Sequence, residues 1–389
     1  MTLNTYSFEL ATKVVFGPGT IEEAGREAKK LGMTKAMIIA DQGIIHAGLT
    51  APVEAALLEE DIHFVIYDKI VPNPRDFHCL EGAEFGREHE IDGMIAIGGG
   101  SSIDTAKAIG TLMTNGKDIR TWAGLNLLER EIPPLIAIPT TAGTGSEVTF
   151  DAVITDTKTH EKLNILDLKI APKVALVDPQ TLLKLPSRAM AACGIDALVH
   201  AVEAYTCKAA CPHTDAYALY AIDIIQKNLR SAVESPDTDN CTGMALGSTM
   251  AGIAFGYSDV AAVHCIAEAL GGRYDTPHGV ANAIMLPVVT EFNIPSNLEK
   301  YANMAKYLAV DTSNLTKEEA AYSCVGALQK LCEDVKIPKM REVEGISPVD
   351  FPELAEASFR NISTLDNPRE ITVDDYLYLL NKAYFELSD

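Results

Sequence analysis

Asp196 and His200 stand four residues apart in Gly194-Ile195-Asp196-Ala197-Leu198-Val199-His200. On a helix that spacing puts both side chains on one face, about 6 Å apart along the axis. Two further histidines, His264 in Ala261-Ala262-Val263-His264-Cys265 and His278 in Thr276-Pro277-His278-Gly279, have small or apolar neighbours. An unpaired charge in such surroundings is costly. Taken singly, each histidine reads first as a satisfied core residue. If the segments meet, one carboxylate and three imidazoles form a site for a divalent transition metal. Catalytic zinc usually has three protein ligands and an open fourth position. Four protein ligands would close a tetrahedron, and catalysis would then need a metal that accepts five or six ligands. That favours iron(II) over zinc, with cobalt, nickel or manganese open.

A second chemistry is written in small residues. The apolar run Met94–Ile97 leads into Gly98-Gly99-Gly100-Ser101-Ser102, and a helical pattern follows through Ile103, Asp104, Ala106 and Lys107. Glycines let the backbone approach a ligand closely. A helix N-terminus offers N–H groups and positive dipole character to a phosphate. The plain alternative is a tight turn. The usual G-x-G-x-x-G dinucleotide fingerprint is missing after the first strand. Instead Ala36–Ala40 ends in Asp41. A carboxylate there either bonds the adenosine ribose hydroxyls, which would favour NAD over NADP, or caps a helix or turn. A second loop of hydroxyls and glycines, Pro139 to Glu147, follows the run Leu135–Ile138. It could line the ribose and nicotinamide.

These segments need particular elements to position them. Strand-length apolar runs at Ala36–Ala40, His63–Tyr67, Met94–Ile97, Leu135–Ile138 and Val174–Val177 lack two-residue alternation, which suits strands buried on both faces. Helical patterns at Thr50–Glu60, Asp76–His89 and Ser102–Thr114 lie between them. The alternation predicts a doubly wound parallel sheet with ligands at its carboxyl ends. After Asp178-Pro179 the strand signals fade. From Ser187, a candidate N-cap, the chain reads as long helices, later punctuated by Pro287, Pro295, Pro338, Pro348 and Pro352. The expected architecture is an α/β dinucleotide-binding domain, 1–185, followed by an all-helical domain, 186–389, with the active site in the cleft between them.

Composition narrows the function classes. A chain of 389 residues suits two domains. The net charge of −22 repels phosphate backbones and anionic lipid, so neither nucleic acid nor membrane is an expected partner. Met1 to Lys13 shows no basic segment followed by an apolar run, and no run has the length of a membrane helix. The eight cysteines are scattered without a Cys-x-x-Cys pair, which reads as reduced thiols in a cytoplasm. Cys207 and Cys211 are spaced to share a helical face, but that spacing alone is weak evidence for a metal.

In order and spacing, these motifs resemble the iron-containing (group III) alcohol dehydrogenases over nearly the whole chain. Thr12 to Gly19 looks like the family's N-terminal strand and turn. Pro72-Asn73-Pro74, Gly98–Lys107 and Pro139–Glu147 look like its cofactor segments. Gly194–Glu203 and His264–Pro287 look like its metal segments. The resemblance implies a dehydroquinate synthase-like fold and the metal ligands Asp196, His200, His264 and His278. It implies NAD contacts at Asp41, Asn73, Gly99, Gly100, Ser101, Thr140, Thr141, Thr149 and Lys162. It also implies a homodimer or larger homo-oligomer acting on a small alcohol or aldehyde. Many relatives have a second histidine four residues after the third ligand, where this chain has Glu268. Glu268 is then an extra oxygen ligand, a proton acceptor, a determinant of alcohol specificity, or a solvated helix carboxylate. Phe150 and Phe255 could wall an apolar pocket. Three competing readings are a polyol dehydrogenase, a dehydroquinate synthase-like lyase and a non-catalytic protein. The lyase would need several basic residues in the cleft, and Arg273 is the only arginine between His264 and His278.

Overall fold

The computed structural model describes residues 5–116, 118–159 and 161–386. It divides into two compact units, Glu9–Leu185 and a second made of 186–389 with the residues through Phe8. The described residues before Glu9, 5–8, therefore group with the helices and not with the sheet. Their anchor is aromatic: the Phe8 ring stacks on His213 and lies 4.8 Å from the Tyr257 ring.

The first unit is built on a six-stranded, wholly parallel sheet of order β1-β9-β6-β4-β2-β3. Its strands are β1 (Lys13–Phe16), β2 (Lys35–Ile39), β3 (His63–Tyr67), β4 (Gly93–Gly98), β6 (Leu135–Pro139) and β9 (Val174–Val177). The helices are α1 (Ala24–Lys30), α2 (Gln42–His46), α3 (Ala51–Glu59), α4 (Asp76–Glu88) and α5 (Gly100–Asn115). Consecutive residues of one strand feed opposite cores. Met37, Ile39, Met94 and Ala96 join a cluster with Ala83, Ile103 and Ile109 of α4 and α5. Ala36, Ile38, Ile95 and Ile97 join another with Ala24, Ala28, Val53 and Leu57 of α1 and α3. Both faces are covered, so the strands read as unbroken apolar runs. The sequence reading did not anticipate a second sheet, order β5-β8-β7, made by β5 (Gly124–Leu125), β7 (Asp151–Thr155) and β8 (Lys162–Leu166). Its strands carry Lys162, Asn164 and Asp151 among the apolar residues, which hid them as strands.

The second unit is helical: α6 (Ser187–Thr206), α7 (Pro212–Glu234), α8 (Thr238–Gly256), α9 (Ala262–Tyr274), α10 (His278–Asn293), α11 (Leu298–Tyr307), α12 (Lys317–Asp334), α13 (Phe351–Arg360) and α14 (Val373–Phe385). Helix α6 is buried along most of its length and packs against α7, α8 and α10. Its Ala, Leu, Val and Ile residues on every side suit that enclosure. Three local expectations are corrected. The residue flanking α6 is Pro186, and Ser187 is already helical. Pro287 lies inside α10 rather than ending it, in a stretch buried from Ala281 to Thr290, where packing outweighs one lost backbone bond. Cys207 and Cys211 share no helix: the first follows the end of α6 and the second caps α7, with Pro212 opening the new helix. All eight cysteines are free thiols. Among the described residues no helix is long and apolar enough to cross a membrane.

Candidate metal centre and cofactor loops

Helix α6 presents Asp196 and His200 one turn apart, and the first turn of α9 brings His264 to them. One ligand atom from each of the three lies within 4.8 Å of those of the others. All three are buried, at 2%, 4% and 3% exposure. His278 opens α10 and places its Nε2 3.7 Å from Asp196 Oδ1. Its ring lies 5.4 Å from that of His264, and its side chain is 39% exposed, the open side of the cluster. The two segments that the sequence could not join therefore meet. Burial works to raise the Asp196 carboxyl, but the imidazoles of His200, His278 and His264 and the Asn282 amide hold it below the usual carboxylate range.

Two residues to which the sequence reading gave no role of their own complete the cluster. Asn282 Nδ2 donates to Asp196 Oδ1 at 2.6 Å and lies 3.1 Å from His278 Nε2. Glu203 Oε2 lies 2.6 Å from His264 Nδ1. Burial pushes the Glu203 carboxyl up to about 7, opposed by backbone N–H groups of Ala261, Val263 and His264. The available signal was periodicity: Glu203 falls seven residues after Asp196, and Asn282 four after His278. A carboxylate and imidazoles on facing helices are a donor set of intermediate softness that fits iron(II) or a neighbouring divalent metal.

Glu268 is one turn beyond His264 on α9 and half-buried, and its Oε2 accepts from Asn361 Nδ2 at 2.7 Å. It is not a member of the compact group. Phe255 stacks on the His200 ring at 4.2 Å, so it walls the cluster. Arg273 is turned to Asp350 at 2.9 Å.

Six of the nine cofactor candidates, Asp41, Gly99, Gly100, Ser101, Thr140 and Thr141, follow the neighbouring strands β2, β4 and β6 at their carboxyl ends. The strand order reverses there, since β3 lies on one side of β2 and β4 on the other. Asp41 follows β2 and caps the short α2, with Oδ1 accepting from Ile44 N at 3.0 Å. The capping role is therefore present. Gly99, Gly100 and Ser101 lead from β4 into α5, whose cap position makes no side-chain hydrogen bond. Thr140 and Thr141 follow β6. The two loops touch: a Cβ on Gly100 would lie 2.7 Å from Thr144 Cγ2, so a side chain at 100 would force them apart. Thr149 is buried, and its hydroxyl takes part in a network around Lys107 Nζ, 3.2 Å away. Asn73 is in the left-handed conformation at φ 54°. Its Oδ1 accepts from Lys162 Nζ at 3.1 Å, which joins two candidates that are 89 residues apart.

The model of the family described as "Iron-containing alcohol dehydrogenase" matches residues 11–179, and that of its C-terminal domain matches residues 190–384. The chain belongs to the iron-containing alcohol dehydrogenase family. It is 37% identical to the 1,3-propanediol dehydrogenase of Citrobacter freundii, over 99% of this chain and 100% of that protein. It is 37% identical to the NAD-dependent methanol dehydrogenase of Bacillus methanolicus, over 97% and 99%. A solved structure of 1,3-propanediol oxidoreductase superposes with a TM-score of 0.96, at 36% identity and over 98% and 100% of the two chains. As an iron-containing alcohol dehydrogenase, the chain is an oxidoreductase, which sets aside the lyase and non-catalytic readings.

Proposed function

We propose that this enzyme passes hydride between NAD(H) and a small primary alcohol, diol or aldehyde, at a centre formed by Asp196, His200, His264 and His278. The observation that carries the reading is the buried group of Asp196, His200 and His264, with His278 beside it. When bound, iron(II) supplies Lewis-acid polarisation of the substrate oxygen and NAD(H) supplies the hydride chemistry. The chain's own part is positional. Asp196 brings the one negative charge of the donor set, Asn282 holds it beside His278, and Phe255 keeps water from one side of His200. Asp41, Asn73, Gly99, Gly100, Ser101, Thr140, Thr141, Thr149 and Lys162 are assigned to NAD. The helix N-terminus at Gly100 receives phosphate, and Thr149 acts through the Lys107 network. NAD is taken over NADP because Asp41 would repel a 2′-phosphate. Glu268, held by Asn361, is assigned to alcohol specificity. Glu268→Gln should keep the iron content and alter relative rates across alcohols; loss of iron would make it a ligand.

The same reading takes the enzyme as a cytoplasmic homodimer or larger homo-oligomer. Strand β1 is a sheet edge with β9 as its neighbour in the sheet, which leaves a side for pairing. Light scattering tests the assembly. The activity is tested with anaerobic, iron(II)-loaded protein, short aldehydes, and NADH beside NADPH. NADH oxidation that a chelator abolishes, and that His278→Ala loses while remaining folded, is the expected result. Full turnover in His278→Ala would sink the assignment.

A further inference from the structure

Helix α9 starts without a cap of its own. Ala261 occupies the cap position and makes no side-chain bond there. The cap comes instead from α6: Glu203 Oε2 accepts from Ala261 N at 2.9 Å and Oε1 from Val263 N at 2.7 Å. The same Oε2 meets His264 Nδ1 at 2.6 Å. Glu203 is 3% exposed, and the sequence places it three residues after His200 and seven after Asp196. One face of α6 thus carries two of the proposed ligands and the carboxylate that grips the third.

We infer that Glu203 is a positioning residue for the metal centre, fixing both the tautomer and the aim of His264. A carboxylate at Nδ1 holds the proton on that nitrogen and leaves the lone pair on Nε2, the atom available to a metal. The two backbone bonds hold the first turn of α9 at the same carboxylate. The ring and the helix that carries it are therefore indexed to one group. Carboxylates that hold a ligating imidazole in this way typically change metal affinity by about 10- to 100-fold when removed. A merely structural cap would make the same two backbone bonds but would leave the imidazole tautomer unconstrained.

The inference rests on the proposed metal centre, and the test separates the two. Iron(II) affinity is measured anaerobically, by competition with a chromophoric chelator, for the full-length enzyme, Glu203→Gln, His264→Ala and the double variant. The expected result is about 10- to 100-fold weaker binding in Glu203→Gln. The double variant should bind no more weakly than His264→Ala, because Glu203 acts through that ring. Unchanged affinity in Glu203→Gln, or losses that multiply in the double variant, would overturn the inference while leaving the centre intact. An unsubstituted enzyme that binds no iron would overturn the metal centre itself and the inference with it. Should Glu203→Gln not fold, nitrogen NMR of histidine-labelled, metal-free enzyme reads the tautomer directly, with His264 identified by its absence from His264→Ala. A proton on Nδ1 is expected; a proton on Nε2 would refute the role.

Discussion

Lys107 shows how much a single side chain can be asked to do in this fold. It has no exposed surface, yet it ends in an ammonium group. Its Nζ donates to the Asp151 carbonyl at 2.8 Å, to Ser146 Oγ at 3.0 Å and to Thr149 Oγ1 at 3.2 Å. Burial pushes the ammonium pKa down, while Asp104, Asp151 and Glu147 pull it back up. Asp104, itself pushed up to about 6 by burial, accepts from Ser146 Oγ at 2.6 Å and Val153 N at 3.1 Å. The network fastens α5 to the loop after β6, so it braces both loops proposed to hold the cofactor. Lys107→Ala should cost about 3–5 kcal/mol, since it strands buried partners and leaves a cavity. Denaturant unfolding checks this, and a loss under about 1 kcal/mol would mean that water replaces the ammonium without strain. The sequence showed Lys107 only as a member of a helical pattern, because its partners lie about 40 residues further on.

Among the elements, the approach of α10 to α6 decides where His278 sits. Gly279 follows it, and a Cβ there would lie 2.5 Å from the Ala192 carbonyl oxygen on α6. Backbone cannot rotate away as a side-chain tip can, so Gly279→Ala must push the first turn of α10 outward. Overpacking of this kind costs about 1–3 kcal/mol. Part of it should appear as weaker iron(II) binding, because the retreating turn carries His278. Chelator competition beside thermal unfolding of the metal-free form checks the split, and unaltered iron affinity would show that α10 can yield without moving the ring. The loop between α8 and α9 carries a pH dependence. Burial, then the Asp366 carboxylate, pushes the Asp259 carboxyl up to about 7, against bonds from Ser363 and Val260 N. With the folded value above the unfolded 3.8, this group's stabilisation is complete below about pH 4 and is lost as pH rises through about 7. Asp259→Asn should therefore be more stable than the parent at pH 8, by up to about 4 kcal/mol. The advantage should vanish near pH 4. Equal pH profiles for the two proteins would refute the raised carboxyl.

At the scale of the whole molecule, the loops proposed to hold the cofactor belong to one compact unit and the proposed metal ligands to the other. Each ligand should therefore stabilise the unit that holds it. A ligand at 100 times its dissociation constant adds about 2.7 kcal/mol to the state that binds it. NADH should raise the unfolding midpoint of the metal-free enzyme, and Asp196→Ala should keep that shift while losing the one caused by iron(II). Loss of the NADH shift in Asp196→Ala would mean that cofactor binding depends on an intact metal centre.

What the sequence determined alone was whatever rests on local periodicity. Five strands of the larger sheet came out within a residue or so of their observed limits, because a strand covered on both faces leaves an unbroken apolar run. Which residue of a strand feeds which core follows from the pleat once the sheet has formed. Asp196 and His200 were legible as a pair because a helix turn separates them. The strands of the smaller sheet were not: β7 and β8 mix charge with apolar residues, and β5 has two residues. The break between Cys207 and Cys211 was hidden because a spacing of four looks the same across a turn as along a helix. Only the tertiary structure could decide that α9 and α10 bring His264 and His278 to α6, and that Glu203 and Asn282 hold them there. Those contacts span 61 and 86 residues of chain. Their geometry is set by how helices pack, which no local pattern of residues records.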